Sequence, residues 1–82
     1  MSSIIQDWMG EPGEYHTDSE DAQRVVERLT HIGFTVGMHY RPGGGVQIII
    51  TRGGRGQEHS GPFMQPVLCE LVERMIQSGE IR

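Results

Sequence analysis

The sequence has 82 residues and a mass of 9.2 kDa, which is the size of one small domain. Hydrophobic residues make up 35% of it, and no apolar run approaches the roughly 18 residues that a membrane-spanning helix needs. The N-terminus lacks the basic start and apolar core of a signal peptide, and one cysteine, Cys69, cannot form an internal disulfide. These features predict a soluble, cytoplasmic protein with no membrane contact.

Charge is distributed unevenly along the chain. Eleven acidic and seven basic residues give a formal net charge of -4. The first 21 residues carry six carboxylates and no basic residue: Asp7, Glu11, Glu14, Asp18, Glu20 and Asp21. Residues 39–62 are weakly basic, with Arg41, Arg52 and Arg55 against the single acid Glu58. The negative total argues against general nucleic-acid binding, which depends on a strongly basic surface.

Residues 1–17 are predicted to form an acidic, partly ordered N-terminal segment. Its first apolar residues, Ile4, Ile5 and Trp8, fit either a short strand or one face of a helical turn. A Gly-Glu-Pro-Gly stretch then interrupts any regular element. We therefore expect the α+β domain itself to span residues 18–82.

The first predicted helix begins near Asp18. Thr17 followed by Glu20 fits a capping box, with Ser19 as an alternative cap. Glu20 is predicted to pair with Arg24 one turn later. The apolar residues recur at spacings of three and four: Ala22, Val25, Val26, Leu29 and Ile32. Gly33 is predicted to end the helix, because glycine readily adopts the left-handed conformation of a helix stop.

Two antiparallel strands are predicted next. Apolar and polar residues alternate over residues 34–41 and again over residues 46–51, which is the period of a strand. The Pro-Gly-Gly-Gly stretch between them favours a hairpin turn. Ile49 makes both faces of the second strand apolar, so this strand is expected to have neighbours on both of its faces.

The remainder of the chain predicts a loop and a final helix. Residues 52–61 are expected to form the loop, because four of these ten residues are glycines. The helix is predicted to run from Pro62 or Pro66 to Ser78, with a broad apolar stripe and with Gly79 as its stop.

These elements predict an α+β fold in α-β-β-α order, with two helices packed on one face of a small antiparallel sheet. A sheet of two strands is marginal by itself. Either residues 4–8 supply an extra N-terminal strand, or the sheet continues into a second copy of the chain as a homodimer.

The order of helix, strands and helix resembles part of a double-stranded-RNA-binding domain or of a HicA-type toxin. Those folds have three strands where this sequence predicts two, and no basic patch opens the second helix. The Gly-Ser-His strand motif of HicA-type toxins is missing as well. The sequence is therefore assigned to neither family.

Catalytic and metal-binding patterns are weak in this sequence. No two of the four histidines have the i,i+4 spacing of a helical zinc site, and there is no CxxC, so neither a metal nor a cofactor is predicted. Cys69 lies beside the apolar stripe of the last helix, which favours a packed thiol over a reactive one. We expect a protein that is not an enzyme.

Two binding hypotheses follow. In the first, the six N-terminal carboxylates bind a basic surface on a partner protein that handles nucleic acid, and the chain inhibits that partner. This is the class of phage anti-defence or anti-CRISPR-like proteins, which act in the host cytoplasm. In the alternative, RNA or DNA binds to the arginine-glycine loop 52–56 and the hairpin tip through Arg41, Arg52 and Arg55.

Overall fold

Three helices and three strands form within residues 3–81, which the computed structural model describes. Their order is α1 (Ile4–Met9), α2 (Ser19–His31), β1 (Thr35–Tyr40), β2 (Val46–Arg52), β3 (Arg55–Gly61) and α3 (Met64–Ser78). The predicted α+β class is confirmed, as are both predicted helices and the hairpin of β1 and β2. The predicted α-β-β-α order is wrong because it lacks α1 and β3.

The apolar residues at the N-terminus form a helix, so the suggested extra strand at residues 4–8 is wrong. The Ser3 side chain accepts a hydrogen bond from the backbone N–H of Gln6, at 3.1 Å, and caps the start of α1. Gly10, at φ 78°, ends it. α1 packs against α3, and its Ile5 is fully buried in the same core as the larger helices.

Residues 55–61, which were predicted to be a loop, form the third strand. β3 pairs antiparallel with β2 along the whole of that strand, from Arg52 with Arg55 to Val46 with Gly61. The connecting turn contains only two residues, both glycines with positive φ, which suits the tight turns favoured in hairpins. Two of the four glycines in residues 52–61 therefore form the tight turn of a hairpin, and do not indicate a loop.

The helices cover one face of the sheet. α2 contacts β1, and α3 contacts β2 and β3. Val46, Ile48 and Ile50 of β2 point towards the helices and are buried, whereas Ile49 points to the opposite face and is half-buried. Within residues 3–81, the helices cover the face with Val46, Ile48 and Ile50, and the expected neighbours on the Ile49 face stay a prediction.

The ends of α2 and α3 are set by local residues. Asp18, rather than Thr17, is the N-cap of α2, and its side chain accepts a hydrogen bond from the N–H of Glu20 at 3.3 Å. Gly33, at φ 100°, and Gly79, at φ 87°, stand at the predicted helix stops.

Within residues 3–81, no helix has both the length and the apolar character needed to cross a bilayer.

Candidate functional site

Five of the six predicted carboxylates lie around the N-terminal end of α2. We define the acidic cluster as these five residues: Glu11, Glu14, Asp18, Glu20 and Asp21. The backbone N–H of Glu14 donates a hydrogen bond to Oδ2 of Asp21 at 2.7 Å, which joins the segment before α2 to the helix itself. Asp7 lies exposed on α1, and α1 is tied to the same segment because Gln6 Nε2 donates to the carbonyl of Gly13 at 3.2 Å.

Arg24 compensates part of this negative charge. Its guanidinium forms ion pairs with Glu11 and with Asp21, the latter at 3.2 Å, so the predicted pair with Glu20 is wrong. The carboxylates of Glu14 and Glu20 are exposed and make no ion pair within the described part of the chain. Asp18 makes no ion pair within this part of the chain either, but its carboxylate caps α2, so Glu14 and Glu20 carry the uncompensated charge that has no role in the helix cap.

Tyr15 anchors the segment that carries the cluster to the core. Its side chain is 1% exposed, and its hydroxyl donates a hydrogen bond to the backbone carbonyl of Glu11 at 2.9 Å. Burial, and to a smaller extent the negative charge of Asp21, raises the pKa of Tyr15. The carboxylates of Glu11 and Glu14 thus stand on a fixed stretch of backbone.

Cys69 lies beneath this segment, where its Sγ donates to the carbonyl of Tyr15 at 3.1 Å. The side chain is fully buried, which confirms the predicted packed thiol. Burial, followed by the negative charges of Glu73 and Glu70, raises the pKa of Cys69 to about 12. The thiolate form that nucleophilic chemistry requires is therefore strongly disfavoured.

We expect Cys69 to resist thiol reagents in the native protein. With a folded pKa of about 12 against an ordinary value of 9.0, the thiolate fraction near neutral pH is roughly a thousandfold lower in the folded state. Ellman's reagent should release about one equivalent of thionitrobenzoate from the unfolded chain and almost none, over the same time, from the native chain. Rapid labelling of the native chain contradicts this expectation.

The pKa of Cys69 also gives the sign of a pH dependence. The folded state keeps the thiol proton to higher pH than the unfolded state does, so the contribution of this group to stability is complete below about pH 9. That contribution falls as the pH rises from the unfolded pKa of 9.0 towards the folded pKa of about 12.

The arginines of the alternative site are divided between two ends of the sheet. Arg52 and Arg55 are directly paired at the turn between β2 and β3. Arg41 follows β1 beside the hairpin glycines, where Tyr40 pairs with Val46. These ends are roughly 20 Å apart, since β2 rises about 3.3 Å per residue between them. The structure therefore does not unite the three predicted arginines.

Arg52 and Arg55 border a surface cavity with a volume of about 550 Å³. The Cζ atom of Arg52 lies 4.3 Å from the centroid of the Phe34 ring, and its guanidinium donates to the carbonyl of Glu80 at 3.4 Å. The rest of the cavity is formed by the C-terminal end of α3 and the residues after α2, with Met75 and Ile32 among them.

The sequence does not predict a contact that His59 of β3 makes with two residues of α3. His59 of β3 places Nε2 at 2.7 Å from Oε2 of Glu70, and Arg74 donates to its Nδ1 at 3.1 Å. Both ring nitrogens are occupied, so this histidine holds β3 to α3. No group of three or more acidic, histidine or cysteine residues within residues 3–81 is arranged to hold a metal ion.

With β3, residues 19–78 contain the helix, three strands and helix whose order resembles a double-stranded-RNA-binding domain. The first turn of α3 nevertheless contains Met64, Gln65 and Pro66 and no basic residue, so this difference from the RNA-binding pattern remains. Comparison of the chain with protein-family models, with curated proteins and with solved structures finds no match.

Proposed function

We propose that this chain is a non-enzymatic binding module whose acidic cluster binds a basic surface on a partner protein that handles nucleic acid. The observation that carries this proposal is the gathering of five carboxylates at one end of α2, held by contacts from within the chain. The backbone that carries Glu14 and Glu20 is already held by these contacts, so it loses less conformational entropy when the partner arrives. Complementary potentials also accelerate association and select the partner.

The proposed consequence of binding is inhibition. A protein that handles nucleic acid presents arginine and lysine side chains to phosphates, and arginine forms equally good bidentate pairs with carboxylates. An acidic module seated on such a surface excludes nucleic acid from it. The class that we propose is a phage anti-defence or anti-CRISPR-like inhibitor acting in the host cytoplasm.

Direct nucleic-acid binding has less support as a second function. Arg41 lies at the opposite end of the sheet, which leaves Arg52 and Arg55 as the only two of the predicted arginines that stand together. Two arginines on a chain with a net charge of -4 provide a small part of the positive surface that tracks a nucleic-acid backbone.

The homodimer stays a prediction, but one of the two arguments for it no longer applies. It was suggested because a sheet of two strands needs completion, whereas β3 brings this sheet to three strands within one chain. What favours it now is the edge strand β1, where Met38 is 39% exposed and Tyr40 is 72% exposed. Neither side chain is needed for the proposed binding by the acidic cluster.

The proposal is tested by reversing the uncompensated charges, with the double variant Glu14→Arg and Glu20→Arg. Asp18 and Asp21 are left intact because their carboxylates cap α2 and hold the backbone of Glu14. A fluorescent nona-arginine peptide serves as the basic probe. We expect its affinity to fall at least about tenfold, and the loss to shrink at high salt, since exposed charges are then screened.

The matched control is the double variant Glu27→Arg and Glu58→Arg, which changes the net charge equally outside the acidic cluster. Both control residues are exposed, and Glu58 lies on the sheet face away from the helices. We expect a loss of affinity below about threefold for this control. Equal losses in the two variants mean that the net charge alone attracts the peptide, and the proposed site is then wrong.

A second measurement addresses the nature of the partner. Immobilised protein is incubated with nuclease-treated bacterial lysate, and the captured proteins are compared between the wild type and both double variants. The proposal expects a captured nucleic-acid-binding protein that the Glu14→Arg and Glu20→Arg variant loses and the control retains. If captured proteins are the same for all three chains, the acidic cluster does not select the partner.

A further inference from the structure

Arg52 and Arg55 place two like charges at neighbouring positions of the sheet. They face each other across the turn between β2 and β3, and like charges at directly paired positions destabilise a sheet. Within residues 3–81, neither guanidinium forms an ion pair with a carboxylate. Both side chains are exposed, so the pair is accessible to an anion from solution.

Among the residues that the structure describes, Glu80 provides the carboxylate at this cavity, and a neighbouring side chain holds it. Glu80 accepts a hydrogen bond through Oε2 from Nε2 of Gln57 at 2.7 Å. Arg52 donates a hydrogen bond to the backbone carbonyl of Glu80, at 3.4 Å, and not to its carboxylate, which leaves most of the guanidinium donors unused. The two positive charges therefore remain available at the edge of the cavity.

The same cavity has an apolar side next to this positive edge. The ring of Phe34 lies beneath the Arg52 guanidinium, and Met75 and Ile32 complete the apolar lining. The volume of about 550 Å³ is within the usual range for sites that bind small molecules. A guanidinium that is stacked on a buried ring has lost much of its freedom before any ligand binds.

We propose that this cavity binds a small aromatic anion, in which a phosphate or carboxylate group is attached to an aromatic ring. The paired guanidinium groups of Arg52 and Arg55 bind the anionic group, for which their planar forks are suited. The ring of the ligand packs against the apolar lining at the half-buried Ile32, because Phe34 and Met75 are almost fully buried beneath it. A polymer of nucleotides needs a longer positive groove than two arginines provide.

This site is separate from the acidic cluster of the proposed function. The cluster surrounds the N-terminal end of α2, whereas the cavity lies beyond its C-terminal end at Ile32. A helix of 13 residues extends about 20 Å, which separates the two sites. Failure of one proposal therefore leaves the other intact.

The test is an NMR titration of the whole 15N-labelled chain with phenyl phosphate, phenylacetate, adenosine monophosphate and inorganic phosphate. We expect the amide signals of residues 32–34, 52–57 and 75–80 to shift, and phenyl phosphate to bind at least about tenfold more tightly than inorganic phosphate. A preference for adenosine monophosphate identifies the ligand as a nucleotide, and a preference for the phenyl compounds identifies an aromatic acid. Equal affinity for inorganic phosphate, or no shifts at millimolar ligand, overturns the proposal.

Two exposed arginines provide the matched variants. Arg55→Gln removes one member of the pair and is expected to weaken phenyl phosphate binding about tenfold, whereas Arg41→Gln makes the same charge change at the far end of the sheet and should leave the affinity unchanged. Equal weakening by both variants overturns the assignment to this cavity. Tighter binding of an oligothymidine of about ten nucleotides than of any small anion also overturns it, in favour of nucleic acid.

Discussion

Replacing Ile5 with alanine is expected to lower the free energy of unfolding by about 2–4 kcal/mol, the largest effect that we predict. Ile5 is fully buried, and α1 packs through it against α3. The substitution removes buried apolar surface and leaves a cavity, because the surrounding core relaxes only in part. In a domain of this size, such a loss is a large share of the total stability. Urea denaturation of both chains measures it.

The control for this prediction is the same substitution one residue earlier. Ile4 is half-buried and lies outside the core that contains Ile5, so Ile4→Ala is expected to cost less than about 1 kcal/mol. The comparison also tests the division of the chain at residue 17. Similar small effects of the two substitutions would mean that residues 3–17 are only loosely attached to the domain, as the N-terminal composition suggests.

Replacing Gly13 with alanine is expected to cost about 1–3 kcal/mol, the second largest effect that we predict. A Cβ atom at this position would lie 2.7 Å from Cζ of Tyr15 and 3.0 Å from its Cε2, which is closer than carbon atoms pack. The ring cannot retreat easily, because it is buried and its hydroxyl is bonded to the carbonyl of Glu11. Either the ring or the backbone of the acidic segment has to move.

Gly43→Ala is the control for this substitution. Gly43 lies in the hairpin loop, has no positive φ, and has no atom within 4 Å of an added Cβ. Alanine there is expected to be neutral or slightly stabilising, since it restricts the unfolded chain. The two glycine variants are compared by thermal and by urea denaturation. Equal stability of both variants would show that the Tyr15 ring moves away from the added Cβ with no loss in the free energy of unfolding.

A double-mutant cycle assigns the cost of Gly13→Ala to its contact with Tyr15. Introduced into a Tyr15→Leu chain, which lacks the crowded ring atoms, Gly13→Ala should cost at least about 1 kcal/mol less than in the wild type. An unchanged cost would place the strain elsewhere in the backbone of residues 10–14. The urea transitions of the two chains that carry Tyr15→Leu show whether each unfolds cooperatively, as the cycle requires.

Three parts of the fold follow from local sequence pattern. α2 and α3 carry apolar residues at helical spacing and end at Gly33 and Gly79, so both helices are recognisable without knowledge of their neighbours. The hairpin of β1 and β2 is equally clear, because alternating residues flank a run of glycines. Each of these signals is contained within about 15 residues of chain.

The third strand has no such pattern. Its helix-facing side chains include Gln57 and His59, which are polar and only half-buried, because β3 is an edge strand. Its pairing with β2 supplies the stability that its own composition lacks. The one local signal is the Gly53-Gly54 pair between two short runs, a combination that favours a tight hairpin turn. The high glycine content of residues 52–61 favours a loop more strongly than this pair favours a turn, so the local pattern predicts no strand.

The candidate sites divide in a similar way. Composition alone identifies the acidic N-terminal segment and the arginines that follow it, since charge is a property of each residue by itself. Which charges remain available is a property of the fold: Arg24 reaches back to Glu11 across 13 positions of chain. Strand pairing likewise joins Arg52 to Arg55 and leaves Arg41 at the far end. The periodicity of helices and strands repeats every few residues, so a short stretch of sequence is enough to predict them. The placement of α1, the pairing of β3 and these charge pairings depend on contacts between distant parts of the chain, which only the packed structure determines.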